Sequence, residues 1–141
     1  MTKEFVLPPG YIRSILRTED LWREIDKRFG LLAYSQVKEL MPEDEFNRSM
    51  VSEAEESPNM LRVLRVDSYR YPGFQFESDG TVKPVIQRLI NLMRQFNRSE
   101  ESLTLWLCSP STYFYGSPEP VHHLDEVSFI EDVTNYMKID W

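Results

Sequence analysis

Residues 69–76, YRYPGFQF, restrict the folds open to this chain more than any other stretch. The aromatics Tyr69, Tyr71, Phe74 and Phe76 alternate with Arg70, Pro72 or Gly73, and Gln75. Aromatic side chains suit a pleated, half-buried surface, so the stretch reads as a strand. Pro72 has no N–H to give to a ladder and marks a sheet edge or the exit from one. Residues 61–66, carrying Leu61, Val63, Leu64 and Val66, supply the other arm, and Asp67 and Ser68 can turn the chain between them. No other part of the chain is strongly β-like. The fold class is therefore mainly α. A helix-turn-helix-like N-terminal half (1–58) meets a small β-hairpin (59–82), which connects it to a helical C-terminal half (83–141).

Local signals place the helices. Pro8, Pro9 and Gly10 break regular structure, which makes residues 1–13 an arm or loop. Thr18 can cap a helix over 18–29, with Leu21, Trp22, Ile25 and Phe29 on one face and Gly30 as its stop. Residues 31–34 make a connection. Ser35 caps a short helix with Val37, Leu40 and Met41 as its stripe, and Pro42 opens a third over 43–56 with Phe46, Met50, Val51 and Ala54. Two such helices joined tightly make a helix-turn-helix. From Pro84 the period changes to 3.6, with Val85, Ile86, Leu89, Ile90, Met93 and Phe96 on a wide apolar face. Ser99 caps the next helix, in which Leu103, Trp106 and Leu107 are core and Pro110 is the end. Residues 111–120 are a loop rich in Tyr, Pro and Gly. A last pattern uses Val127, Ile130, Val133 and Met137.

A chain of 141 residues with 41% apolar side chains can bury a core without a metal or disulfide. One cysteine, Cys108, and no apolar run of membrane-spanning length point to a cytoplasmic protein. The start, MTKEFVLPPG, lacks a signal-peptide core. The net charge of −7 is uneven. Residues 61–98 hold seven basic and three acidic side chains, whereas residues 99–141 hold one basic and eight acidic. The middle could meet an anion and the C-terminal part should repel one.

Chemistry-bearing constellations are absent from the pattern. Cys108 has no recognisable base and orienting group beside it and reads as a buried, inert thiol. His122 and His123 are adjacent, which does not put them on one helix face, and a zinc site needs further close ligands; they read as exposed or capping side chains. Glu131 and Asp132 are neighbours rather than a facing pair. No catalytic, cofactor or metal residue is assigned, and the chain is expected not to be an enzyme.

Two resemblances supply a function. Residues 31–41 as a first helix region, 43–56 as a recognition helix and LRVLRVDSYRYPGFQF as a wing are similar to a winged helix-turn-helix of the excisionase kind. Trp106-Leu107, Pro110, Phe114, Gly116, Pro120 and Leu124 resemble the Xre/MbcA/ParS family of antitoxins, as does a YPGFQF ribbon followed by VKPVIQRL. Ser111 stands where an Asn is commoner, and the Gly116–Pro120 spacing is one residue longer. The terminal segment also lacks the usual glycines. The family resemblance implies a partner: a toxin with a RES domain, which consumes NAD and whose active site the antitoxin masks. Many members also bind their own promoter, and the remaining alternative is an orphan protein-binding domain without a toxin.

The residues themselves favour a protein partner. The recognition helix would offer Arg48 against Glu43, Asp44, Glu45, Glu53, Glu55 and Glu56, which is the wrong sign for a DNA groove. DNA backbone contact would fall to Arg62, Arg65 and Arg70 of the wing, helped by Arg13 or Arg17. Three consecutive aromatics, Tyr113, Phe114 and Tyr115, cannot all point inward, and exposed aromatics serve as binding anchors. Trp141 at the chain end, with Asp140 and Ile139, must dock on its own domain or on a partner; by resemblance, a cleft built for NAD phosphates would accept such an acidic, aromatic tail. Homodimers are common among such regulators, though no heptad or large apolar patch is visible.

Overall fold

A computed structural model describes residues 9–49, 60–66, 68–110 and 119–139. The order of elements is α1 (Pro9–Phe29), β1 (Leu31–Leu32), α2 (Tyr34–Leu40), α3 (Glu43–Ser49), β2 (Val63–Arg65), β3 (Ser68–Pro72), a 3₁₀ turn (Gly73–Gln75), α4 (Pro84–Gln95), α5 (Glu100–Leu107), a second 3₁₀ turn (Pro120–His123) and α6 (Phe129–Ile139). The fold is mainly helical around a small antiparallel sheet, as the sequence predicts.

Three boundaries differ from expectation, each for a local reason. Helix α1 begins at Pro9 rather than Thr18. A proline in the first turn gives up only an N–H that has no intrahelical acceptor there, so it opens the helix instead of breaking it. Helix α2 begins at Tyr34, with Ala33 in the cap position where Ser35 was expected. Gln36 reaches back to accept the Ala33 N–H at 2.8 Å, which is half of a capping box. Val127 is fully exposed because α6 starts two residues later. Phe129, Val133 and Met137 form the buried stripe at four-residue spacing. Helix α4 matches its predicted span, and Ser99 caps α5 by accepting the Ser102 N–H at 3.1 Å. The predicted continuation of α3 through residue 56 lies outside the described residues.

Leu31–Leu32, expected as a plain connection, adds a third strand. The sheet order is β1-β3-β2, with Leu31 opposite Pro72, Leu32 opposite Tyr71, Val63 opposite Arg70, and Arg65 opposite Ser68. Residues 69–72 therefore lie in the middle strand with Pro72 as its exit rather than an edge, whereas Gly73–Gln75, expected as strand, is a 3₁₀ turn. Ser68, expected in the turn, belongs to the strand opposite Arg65. Val66 in that turn has φ +55°, a strained conformation for a β-branched residue.

Side chains alternate across this sheet, and its two faces serve two cores. Val63 faces the larger one, where Trp22 and Ile25 of α1 meet Leu89 and Ile90 of α4, Leu103 of α5 and Phe129 of α6. Tyr71 faces the smaller one, with Val37 and Met41 of α2, Phe46 of α3, and Met60. Helix α1 thus shares its core with the C-terminal helices, while α2 and α3 pack on the opposite side. Full burial of a side chain such as Leu89 stabilises by about 2 kcal/mol.

The aromatic alternation stops at Pro72, and the 3₁₀ turn swings Gln75 inward to complete burial. Its amide accepts the Leu61 N–H at 2.7 Å and donates to the carbonyls of Leu61 and Pro72 at 2.7 and 3.0 Å. Gln75 therefore satisfies backbone groups that would otherwise be buried unpaired.

Candidate functional site

The three wing arginines do not form one set. Arg62 lies on the same face as Leu64, whereas Arg65 and Arg70 lie on the other. Arg62 is buried, with its guanidinium 3.8 Å from the centre of the Tyr69 ring, so it is not available as the backbone contact the sequence suggested. Arg65 ion-pairs with Glu19 at 2.7 Å and sits over Trp22 at 4.8 Å. Arg70 is half-buried on the same face and forms no ion pair among the described residues.

Arg65 and Arg70 open into a groove of about 520 Å³ between α1, the start of α2 and the sheet. Arg23 of α1 and Gln36 of α2 join them there, and Trp22 and Leu31 form apolar wall. Arg23 pairs with Asp20 at 2.9 Å in full solvent, and the Asp26 carboxylate accepts the Leu31 N–H at 2.8 Å. Arg23 was not singled out from sequence. Its only signal there is adjacency to Trp22, and nothing local joins it to strands forty residues on. Arg13 and Arg17 are exposed on α1 and do not line this groove.

The outer edge of β2 is held by α5. The Glu101 carboxylate accepts the Leu64 N–H at 3.0 Å, and the Glu100 carboxyl takes the Arg62 backbone N–H. Burial pushes the Glu100 carboxyl up to about 7; Arg62 and Arg94 oppose that rise, and Glu101 adds to it.

The C-terminal helices close on themselves through Trp106 of α5 and Tyr136 of α6, whose ring centres are 5.0 Å apart. Trp106 is half-buried, while Leu103 and Leu107 beside it are fully buried. Tyr113, Phe114 and Tyr115 lie outside the described residues, as do Asp140 and Trp141. Ile139 is the last residue of α6.

The remaining candidates behave as structural groups. Cys108 is buried and its thiol is pushed up to about 12 by desolvation. The two histidines part company. His122 is exposed and receives a hydrogen bond from Arg28 at 3.1 Å, while Arg28 also pairs with Glu119 at 2.6 Å. His123, expected to be exposed or capping, is buried and bonds Glu126. No group of three His, Cys, Asp or Glu suited to a metal occurs among the described residues, and no helix among them is long and apolar enough to cross a membrane.

No protein-family model matches the chain. No curated protein matches it. Among solved structures, the chain is similar to the one titled "NMR structure of Rv2175c", with a TM-score of 0.54 and 14% identity. The alignment covers 96% of this chain and 82% of that one. At that identity the likeness concerns the fold alone.

Proposed function

We propose that the chain is a non-enzymatic, antitoxin-like protein that binds and occludes a RES-type, NAD-consuming toxin through its C-terminal end. The supporting observation is the contact between Trp106 and Tyr136. Trp106 lies four residues before Pro110, where the chain leaves for the aromatic segment 113–115. Tyr136 lies four residues before Asp140, where it leaves for the acidic tail. Ring contact at that point sets the C-terminal ends of α5 and α6 side by side, which supports a shared binding end for the segments that follow them in sequence. Glu131 and Asp132 lie in the first turn of α6, away from Tyr136, so the sign expected to compete with NAD phosphates is assigned to Asp140 of the tail.

Co-expression with a RES-domain protein encoded beside this chain tests the reading. The two proteins should co-purify, and removal of residues 138–141 should weaken the complex. Failure to co-purify, or full binding without the tail, counts against it.

A second reading, a winged helix-turn-helix transcription regulator, draws support from the order α1-β1-α2-α3-β2-β3. Against it stand Glu43, Asp44 and Glu45 in the first turn of α3, and Arg48, which is occupied by Glu45 at 2.7 Å. Gel shifts at two salt concentrations separate the readings, since a duplex binder loses affinity steeply as salt rises.

A further inference from the structure

We propose that the groove between α1 and the sheet is a binding site for a compact phosphate-bearing ligand, with Arg70 as its anchor. The site is independent of the C-terminal end and of whatever partner binds there. Three elements each line the same space with one arginine: Arg23 from α1, Arg65 from β2 and Arg70 from β3. Arg65 and Arg70 are diagonal neighbours on one face of the hairpin, close enough for one anion to reach both. Glu19 already serves Arg65 and Asp20 serves Arg23. Asp26 faces the groove with its carboxylate engaged by a backbone N–H. That leaves the half-buried Arg70 as the guanidinium with no ion pair among the described residues.

Arg23, Arg65 and Arg70 stand beside Glu19, Asp20 and Asp26, so a ligand must carry enough charge to draw an arginine from its carboxylate, which favours a phosphate. A carboxylate would satisfy Arg70 alone. A phosphate can hold Arg70 in a two-point contact and also draw in Arg23, whose partner Asp20 lies in open solvent and is readily exchanged. Gln36 at the rim adds an amide that can donate to the remaining oxygen. Trp22 and Leu31 provide an apolar wall for the body that carries the phosphate. The volume of about 520 Å³ falls within the range of small-ligand sites. The concavity suits a compact anion better than a duplex, whose convex backbone is met by protruding side chains.

The test is an NMR titration of the full chain at low salt with pyrophosphate and, separately, with a short DNA duplex. Pyrophosphate should give saturable shifts at the Trp22 indole, at the amides of Leu31 and Leu32, and at Arg65 and Arg70. Arg70→Gln should weaken binding by about tenfold or more, and Arg70→Lys by less, because it keeps the charge but loses the two-point geometry. Arg88→Gln, an exposed arginine of α4 away from the groove, should leave affinity unchanged. If Arg70→Gln unfolds the chain, Arg70→Lys and the Arg70 side-chain resonance carry the test. No saturable binding would overturn the proposal. Equal weakening by Arg88→Gln would do so as well, as would duplex binding at these resonances without pyrophosphate binding.

Discussion

Gly73 has room for a hydrogen and nothing larger. A Cβ built there would lie 1.9 Å from the Phe29 carbonyl oxygen, and the Gly73 N–H donates to the Gly30 carbonyl at 2.8 Å. The exit of β3 is thus seated directly on the end of α1. Gly73→Ala should destabilise the chain by about 3 kcal/mol, read as a lower urea midpoint at unchanged slope. Gly10→Ala is the control: a Cβ at Gly10 meets nothing within 4 Å in a helical turn, so that variant should be neutral or slightly stabilising. The β character of this ribbon was legible in its alternating aromatics. The reason for its glycine was not, because the atom that forbids a side chain is more than forty residues away in sequence. The arginines show the same limit. Sequence spacing grouped Arg62 with Arg65 and Arg70, whereas hairpin register sent Arg62 to the opposite face, under Tyr69.

Among the elements, α4 and α5 were readable because their signals are local. A 3.6-residue period, a first-turn proline and a serine cap all act within one helix. Strand β1 was not readable, since two residues have no period and Leu31–Leu32 is a strand by virtue of its partner. The junction of α5 with β2 also emerged from tertiary structure. Glu100 there should make stability depend on pH. Its carboxyl has an ordinary value of 4.5 and about 7 in the folded chain, so the folded state holds the proton more tightly. The resulting stabilisation is fully present below pH 4.5 and is lost as pH rises through 7. Glu100→Gln should remove that loss. Above pH 7.5 the variant should be more stable than the parent by about 2 kcal/mol, allowing for partial exposure, and the gap should close towards pH 5. Paired denaturation curves across that range check it; a gap that does not vary with pH contradicts it.

At the scale of the whole molecule, one sheet divides two cores, and the larger joins α1 to α4, α5 and α6. Arg28, Glu119 and His122 tie the end of α1 to the segment that follows α5. Cys108 sits inside this shared core, and its raised thiol value leaves almost no thiolate near neutrality. Thiol labelling at pH 8 should therefore be slow in the native chain and rise in urea together with the loss of helical circular dichroism. Rapid native labelling would show that the α1–α5 core opens locally. The joint between α1 and the C-terminal helices was hidden from sequence, because an apolar face does not announce which other face will cover it. The measurement that bears most directly on the proposed occlusion is a titration of this chain into a RES-domain protein encoded beside it while NAD consumption is followed. Stoichiometric loss of NAD consumption is expected, relieved when residues 138–141 are removed. Undiminished NAD consumption at saturating chain, or inhibition that survives the truncation in full, would contradict it.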